Sequence, residues 1–459
     1  MFLSNIASGI KLSNMKQKLL LKRLFSAFML VAISTLSWAY DFEVDGVYYD
    51  RNSDGTSVSV SSGWNSYSGD VVIPSTVTYE STTYNVTSIG EEAFWVCSGL
   101  TSIVIPEGVT SIGRSAFYAC RSLTSVVIPE GVMSIGKSAF SNCSGLTSIV
   151  IPEGVTIIES SAFWECSSLT SVVIPNSVTI IESSAFWGCN SLTSVVIPEG
   201  VTSIVDNAFF SCSSLTSIVI PGSVTGIGRS AFYACSSLTS VVISEGVTYI
   251  GSSAFGDCSS LTSIVIPESV TYIGGAFSGC SSLTSVVIPE GVTSIENGTF
   301  SGCSSLTSVV IPEGVMSIGY KAFEGCSSLT SIVIPESVTS IGEYAFQYCG
   351  GLTSVTCLAE DVPDTDSDAF DGIFYKYAVL YVPESALKAY KSTYPWRAFG
   401  TILPIPTTEV SAVTAAEAPT ADVYNLNGVL VRKAVKSSEA LNGLQPGIYI
   451  VNGVKKAVK

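Results

Sequence analysis

Cysteine carries the most reactive side chain in this sequence of 459 residues, and twelve of the thirteen cysteines form one regular series. They recur every 23 residues, with a single step of 22 residues, and no two of them form a CxxC pair. The chain has no histidine, which excludes Ser-His-Asp and Cys-His catalysis and every metal site that contains histidine. The series consists of Cys97, Cys120, Cys143, Cys166, Cys189, Cys212, Cys235, Cys258, Cys280, Cys303, Cys326 and Cys349.

The spacing of this series predicts buried free thiols rather than disulfides. In an exported protein, thirteen cysteines would normally indicate disulfides. Coils that stack as strands would place successive cysteines about 4.8 Å apart with their Cβ atoms pointing the same way, whereas a disulfide prefers a Cβ separation of about 3.8 Å. We therefore expect each cysteine to serve as a small buried apolar residue.

Two acidic segments have ligand types that suit calcium. Asp50 to Gly55 matches the first half of a calcium loop, D-x-N-x-D-G, but its twelfth position is Ser61 and its flanks alternate as strands do. The second segment runs from Glu360 to Asp371, and Ala369 stands where the turn glycine would be. We predict no metal and no cofactor, and calcium at Asp50–Asp54 or Asp364–Asp368 is the alternative to a plain turn.

The residue that follows the phenylalanine of each unit varies, and this variation selects candidate ligand-binding residues. Seven units carry mostly aromatic residues here, and the later units carry Gly256, Ser278, Ser301, Glu324 and Gln347. Exposed aromatic clusters mark interfaces and sugar-stacking platforms, so the column predicts a binding stripe. The alternative is that the rings cover the neighbouring coil. The candidates are Trp95, Tyr118, Trp164, Trp187, Phe210 and Tyr233; Ser141 interrupts them.

The repeating unit contains two short strands that must position these residues. It reads L-T-S-[IV]-V-I-P-E-[GS]-V-T-x-I-G-x-x-A-F-x-x-C-S-S. Alternation predicts that Leu100, Ile103 and Ile105 point inward, and that Val109 and Ile112 of the second strand do the same. The proline after the first strand has no amide proton and ends the ladder.

The remainder of the unit predicts one helical turn over Ala116–Cys120, because Phe117 and Cys120 are three residues apart. A single coil of 23 residues buries too little apolar surface to offset its ordering entropy, so stacking is obligatory. The predicted fold is a repeat solenoid, mainly β, built from leucine-rich repeats in 23-residue coils, with β caps at both ends and a small C-terminal β domain.

The unit resembles the BspA-type leucine-rich repeat of bacterial and protist surface proteins. The resemblance rests on L-T-S-V-V-I-P-E-G-V-x-S-I-G-x-S-A-F-x-x-C and covers about 300 residues. It implies a non-enzymatic, adhesin-like protein that binds host matrix proteins such as fibronectin or fibrinogen, or other host or microbial cell-surface macromolecules. Alternatives are a glycan-capture protein for nutrient uptake and a polysaccharide-degrading enzyme on a β scaffold.

The N-terminus predicts export. Lys16 to Arg23 is basic, Leu24 to Leu36 is apolar but shorter than the roughly 20 residues of a membrane span, and small residues lead to a cleavage site after Ala39. We assign residues 1–39 to a signal peptide, 40–92 to an N-terminal β cap with a degenerate first repeat, 93–356 to the repeats, 357–406 to a C-terminal cap, and 407–459 to a linker and terminal domain.

The last 40 residues differ in period from the repeats. Two strand pairs are separated by Asn427-Gly428 and Asn452-Gly453, both hairpin-favouring dipeptides. The segments that begin at Val423 and Gly443, with the terminal Lys455 to Lys459, resemble the C-terminal sorting domain of the type IX secretion system. The resemblance implies passage through that machinery and a secreted or outer-surface location.

Charge and the outward strand positions complete the sequence-based picture. From residue 40 the chain has 16 basic and 37 acidic residues, a net charge of −21, so nucleic acid is excluded as a partner. The first strand presents Thr, Ser and Val outward, followed by a Glu at the turn. The rows of Thr, Ser and Val are explained either by β propensity or by a docking strip for protein or glycan. The glutamates at the turn are explained either by solvation or by a cationic partner.

Overall fold

The computed structural model describes residues 40–63 and 67–405, together with the backbone of four strands between residues 420 and 458. The predicted signal peptide with Ala39, the linker residues 407–419, and the dipeptides at 427–428 and 452–453 lie outside the described residues. The strands are numbered β1 to β35 in chain order.

The L-T-S-V-V-I segment of each coil forms a strand, and these strands stack in parallel as the long-strand series. β-Branched residues fill them, and successive coils pair in register, as Ile103 does with Val126. Leu100, Ile103 and Ile105 are buried as predicted. In the coil that begins at Leu192, only an isolated bridge at Ser194 continues the ladder. The series comprises β4 (Ser68–Val72), β7 (Gly99–Val104), β9 (Ser125–Val127), β11 (Ser148–Val150), β13 (Ser171–Val173), β16 (Ser217–Ile220), β18 (Ser240–Ile243), β20 (Ser263–Val265), β22 (Ser285–Val287), β24 (Ser308–Val310), β26 (Ser331–Ile334), β28 (Ser354–Cys357), β30 (Val379–Val382) and β31 (Thr401–Pro404).

A second, short-strand series runs along another side of the coils. Its members pair in parallel with the same register, so that Ile112 lies beside Ile135, and the inward Val109 and Ile112 are buried as predicted. The series comprises β6 (Thr82–Ile89), β8 (Ser111–Ile112), β10 (Ser134–Ile135), β12 (Ile157–Ile158), β14 (Ile180–Ile181), β15 (Ser203–Ile204), β17 (Gly226–Ile227), β19 (Tyr249–Ile250), β21 (Tyr272–Ile273), β23 (Ser294–Ile295), β25 (Ser317–Ile318), β27 (Ser340–Ile341) and β29 (Asp364–Thr365).

The helical turn predicted over Ala116–Cys120 is wrong, because this segment is a pair of non-helical turns. Ser115 and Ala119 have left-handed backbone angles, with φ of 52° and 57°, which a right-handed helix does not contain. The Phe117 amide donates to the carbonyl of Ala139 in the next coil at 2.7 Å, and the following amide bonds back within its own coil. Alternate amides therefore join the coils, and the turn side is a third hydrogen-bonded ladder.

Phenylalanine forms the centre of the core. Thirteen rings, from Phe94 to Phe370, stack face to face with neighbouring centroids 5.0–5.8 Å apart. Tyr67 covers the first ring at 4.5 Å, and Trp396 and Phe399 meet the last ring edge-on. Each ring thus has an aromatic neighbour on both sides, including the two at the ends.

The N-terminal cap extends the short-strand series. A hairpin of β1 (Phe42–Val44) and β2 (Val47–Arg51) pairs with β3 (Ser57–Ser61), which lies parallel to β6, and β5 (Thr76–Tyr79) pairs antiparallel with the other half of β6. These strands cover the first coil with antiparallel structure, because a hairpin can close an edge that a parallel stack leaves open.

The C-terminal cap covers the opposite end with short helices. A short helix, α1 (Leu387–Tyr390), is followed by a 3-10 helix over Trp396–Ala398. The Trp396 indole nitrogen donates to Thr365 Oγ1 at 3.1 Å, which fixes the indole against the last strand of the short-strand series.

The four C-terminal strands form an antiparallel sheet. β32 (Thr420–Asn425) pairs with β33 (Leu430–Lys436) and with β34 (Gly447–Val451), which in turn pairs with β35 (Val454–Val458). The order β33-β32-β34-β35 contains the two strand pairs that the sequence predicts.

The coil of 22 residues absorbs its deletion in the turn. It reads Ile273-Gly274-Gly275-Ala276-Phe277, one residue fewer than its neighbours between isoleucine and phenylalanine. A Cβ on Gly275 would lie 2.5 Å from the carbonyl oxygen of Asn297, so only glycine fits this close approach. The long-strand ladder keeps its register, so Ile264 still pairs with Val286, whereas β21 and β23 of the short-strand series belong to separate sheets.

The first prediction concerns the phenylalanine stack. Phe209→Ala removes a fully buried ring between two stacked neighbours and should lower the free energy of unfolding by about 3–5 kcal/mol. The matched variant Phe210→Ala removes the adjacent, half-buried ring and should cost roughly 1–2 kcal/mol. Urea unfolding followed by circular dichroism measures both, and equal losses would show that the stack does not stabilise the core.

Candidate interaction surface

The outward side chains of the long-strand series form a continuous surface, here called the strand face. In each coil it consists of the residues equivalent to Thr101, Ser102, Val104 and Glu107. Its valines are exposed apolar side chains: 77% of Val127 and 78% of Val196 is accessible to solvent. Valines more than half exposed occupy seven consecutive coils, namely Val72, Val104, Val127, Val150, Val173, Val196 and Val219.

The threonines of the strand face have a structural role. Thr147 Oγ1 donates to the carbonyl of Thr124 in the preceding coil at 3.2 Å, and Thr170 Oγ1 donates to that of Thr147 at 3.0 Å. The pattern recurs along most of the stack. Each hydroxyl therefore adds one bond between coils, and its oxygen lone pairs remain toward solvent.

Glutamates border the strand face at the turn after the strand. All of them are exposed, and they recur at intervals of one or two coils. The ion pairs that Arg114 makes with Glu91 and Glu92, and that Lys321 makes with Glu324, lie outside this edge. The glutamates are Glu107, Glu130, Glu153, Glu199, Glu245, Glu268, Glu290, Glu313 and Glu336.

The thirteen cysteines are all buried and all carry free thiols, which confirms the prediction drawn from their spacing. The structure adds a polar role that the sequence did not indicate. Cys143 Sγ donates to the carbonyl of Phe117 at 3.0 Å, and the same carbonyl accepts the amide of Cys120. This bond recurs in each coil from Cys120 to Cys349, so the thiols link successive coils.

Burial suppresses the reactivity of these thiols. It raises the pKa of Cys166 to about 12, and at the edge of the series it raises the pKa of Cys97 to about 11. Because the thiolate is the nucleophile and the metal ligand, these groups are unsuited to catalysis or metal binding near neutral pH.

The aromatic column lies on the turn side and is only partly open to solvent. Trp95 is 54% exposed, and the other five candidates are half-buried. Trp187 stacks on Phe210 at 3.8 Å, and Phe210 stacks on Tyr233 at 5.0 Å. Trp95 and Tyr118 form a looser pair at 6.4 Å. The structure thus brings five of the six candidates together as ring stacks between adjacent coils, and Trp164 belongs to neither stack.

The column ends at Tyr233 for a steric reason. A Cβ on Gly256 would lie 2.7 Å from the Tyr233 ring, so the glycine of the next coil gives this ring its space. The Tyr233 hydroxyl donates to the Asp257 carboxylate. Ser141, which separates the two stacks, is buried.

Sequence analysis missed a second pair of exposed aromatics. Tyr249 and Tyr272 project from the short-strand series with their rings stacked at 4.9 Å and nearly parallel. The sequence contains a signal for this pair, because the two tyrosines stand at the same position of consecutive units, 23 residues apart.

Hydrogen bonds show that Asp50–Asp54 is a turn. Asp54 accepts bonds from the amides of Thr56 and Ser57 and from the Ser57 hydroxyl, which lowers the pKa of its carboxyl. Asn52 bonds Ser57 and Ser59 through both ends of its amide. The oxygens that would bind calcium thus serve the hairpin between β2 and β3.

The acidic segment Asp364–Asp368 is also held by the chain itself. Asp366 accepts the amide of Asp368, and Asp371 accepts the Gln347 side-chain amide at 3.0 Å. Among the residues that the structure describes, no three acidic or cysteine side chains are arranged to hold a metal ion.

A cleft of about 320 Å³ lies beside β4 in the N-terminal cap. Its lining includes Asp45, Tyr48, Tyr67 and Asp70. Thr101 and Ser102 hydroxyls donate to the Asp70 carboxylate and lower its pKa. Glycosidic bond cleavage needs a general acid with a raised pKa, so this aspartate is the wrong kind of group for that step.

Comparison with known proteins identifies the repeats. A family model described as the BspA type leucine rich repeat region (6 copies) matches residues 75–193, 156–276 and 274–393. A search of curated proteins returned no match. Within the described ranges, none of the helices has the length and apolar character needed to cross a bilayer.

Two solved structures resemble the chain over most of its length. A leucine-rich repeat protein from Bacteroides ovatus is 32% identical with a TM-score of 0.64, and the match covers 80% of this chain and 100% of that one. A leucine rich cell surface protein from Faecalibacterium prausnitzii is 28% identical with a TM-score of 0.51, covering 82% and 98%.

The second prediction follows from the raised thiol pKa values. In the unfolded chain the thiols lose protons near pH 8.5, whereas in the folded protein the Cys166 thiol keeps its proton to about pH 12. The stabilisation is complete below pH 8.5 and is lost as the pH rises above it, by up to about 1.4 kcal/mol per thiol and pH unit.

Urea unfolding between about pH 8 and pH 11 should therefore show a steep loss of stability. The double variant Cys166→Ala/Cys212→Ala should be less stable near pH 8, where the thiols of both states are protonated, and should lose stability less steeply as the pH rises. Identical slopes for the two proteins would contradict the assignment.

Proposed function

Because the chain belongs to the BspA-type leucine-rich repeat family, we propose that it is a non-catalytic, adhesin-like protein of the cell surface or the secreted fraction. Its solenoid binds host or microbial macromolecules, with matrix proteins such as fibronectin or fibrinogen as the first candidates. The neighbour from Faecalibacterium prausnitzii is described as a cell surface protein, which supports the location.

The strand face is the observation that carries this proposal. Seven consecutive coils expose a valine by more than half, with hydroxyl groups before it in the strand and, in four of the seven coils, a glutamate at the turn after it. A contiguous exposed apolar surface with a polar rim is the usual form of a protein interaction site. The fold gives this surface the length of the whole stack, which suits a large ligand better than a small one.

The aromatic column provides a second contact surface on the turn side. It comprises Trp95, Tyr118, Trp164, Trp187, Phe210 and Tyr233. Both faces of the Phe210 ring are covered by its neighbours, so a sugar ring cannot stack on it. Ring edges can still insert into a protein partner, and the column therefore favours protein adhesion over glycan capture.

Export follows the route that the termini imply. The signal peptide ends at Ala39 and directs the chain across the inner membrane, and the type IX secretion machinery then recognises the C-terminal residues 421–459. The antiparallel four-stranded sheet at this end is a suitable β module for such recognition. The protein is then released or attached at the outer surface.

The third prediction tests adhesion and the role of the aromatic column. The protein should bind immobilised fibronectin or fibrinogen, and Trp164→Ala/Trp187→Ala should bind at least about tenfold more weakly, as expected when interface tryptophans are truncated. The control Phe374→Ala/Tyr377→Ala removes two exposed aromatic rings outside the column and should bind as the wild type does.

Surface plasmon resonance measures the affinities, and circular dichroism checks that each variant is folded. Equal binding by all variants would remove the aromatic column from the proposal. Failure of the wild type to bind matrix proteins and intact host or microbial cells would overturn the adhesin function.

A further inference from the structure

Variation among the coils shows which exposed positions of the strand face are constrained. The valine equivalent to Val104 is present in all eleven coils from Val104 to Val333. The buried position just before it alternates between Ile and Val, as in Ile103, Val126 and Ile149. A position that is exposed in seven of these coils and half-buried in four is thus more uniform than a core position of the same strand.

Strand propensity does not explain this uniformity. The outward position of the short-strand series is also a strand position, and there the coils differ freely. Isoleucine, threonine and tyrosine suit a strand as well as valine does. The contrasting column reads Ser111, Ser134, Ile157, Ile180, Ser203, Gly226, Tyr249, Tyr272, Ser294, Ser317 and Ser340. The valine row is therefore constrained by something outside the fold.

The charges of the strand face have one sign. From Leu100 to Glu336 no lysine or arginine occurs in the Leu-to-Glu segment of any coil, and nine of the eleven segments end in Glu. Three of the basic residues in the repeats, Arg114, Lys137 and Arg229, share one position on the turn side. The fold thus separates its few positive charges from the valine row and places carboxylates beside that row.

We infer that the strand face binds a cationic amphipathic polypeptide segment, whose apolar side chains cover the valine row and whose lysines or arginines meet the glutamate edge. This inference rests on the proposed adhesin function and specifies the chemistry of the partner. Successive coils offer one valine and usually one carboxylate about every 4.8 Å, so a segment lying along the stack axis makes the same contact repeatedly. Anionic polymers are repelled from this face by the same carboxylates.

The test uses the mature protein and a defined probe. The probe is a helical peptide of about 21 residues built from Leu-Lys-Lys-Leu-Leu-Lys-Leu heptads, and its negative counterpart replaces each lysine with glutamate. Calorimetry should show that the lysine peptide binds, that added salt weakens binding, and that the glutamate peptide does not bind.

Matched variants locate the binding surface. Glu130→Gln/Glu153→Gln should weaken binding by about fivefold through the loss of two exposed ion pairs, whereas Glu159→Gln/Glu182→Gln removes the same charge from the other side of nearby coils and should leave the affinity unchanged. Val127→Thr/Val150→Thr should weaken binding without changing its salt dependence, and Ile157→Thr/Ile180→Thr should not.

Each outcome decides the inference. Equal effects of the two glutamate pairs would mean that only the net charge of the protein attracts the peptide, and would overturn it. Matrix or cell binding that is unaffected by both strand-face variants would also overturn it while leaving the adhesin function intact. Absence of any matrix or cell binding would instead refute the function on which the inference rests.

Discussion

Registration of each coil on the one before it is the constraint on which the whole structure depends. The buried positions of a unit meet their equivalents in the preceding coil, so backbone ladders on three sides and the phenylalanine stack reinforce the same register. A shift by one residue would turn each strand over and expose its apolar side. The single shorter coil shows which part of the unit tolerates a deletion. Its missing residue is absent from the turn at Gly274–Gly275 and from neither strand.

The inward-facing columns were predictable from the sequence because the buried positions carry the same apolar residue types at a regular spacing. Leucine, phenylalanine and cysteine recur at fixed distances, and all three columns are buried in the structure. The shape of the turn was not predictable, because residues three apart share a side in a helical turn and in a pair of β-turns alike. The choice between them lies in the left-handed residues, such as Ser115 and Ala119, whose side chains carry no strong signal.

The thiol hydrogen bonds were likewise inaccessible to sequence reasoning, and for the aromatic column the sequence left open whether the rings are exposed or cover the neighbouring coil. Both depend on direction: Cys143 points at the carbonyl of Phe117 in the preceding coil, and Tyr233 leans over Gly256 in the following one. The spacing in the sequence indicates that two residues lie in adjacent coils, but it does not indicate toward which of the neighbouring coils a side chain points. The sequence therefore gives the position of each candidate surface in the unit, and its exposure required coordinates.

A repeat protein also provides an internal comparison that a single globular domain lacks. Every position is sampled in about a dozen copies that share one fold, so a column that varies shows what folding tolerates. Core columns remain apolar because of packing, and the threonine column is explained by its bonds between coils. Neither explanation covers the valines and glutamates of the strand face: seven of the eleven valines are exposed, and closely spaced glutamates repel one another, although Glu245 accepts the Ser269 amide. Uniformity that packing does not require points outward, and it is the reason for proposing the strand face as the binding surface.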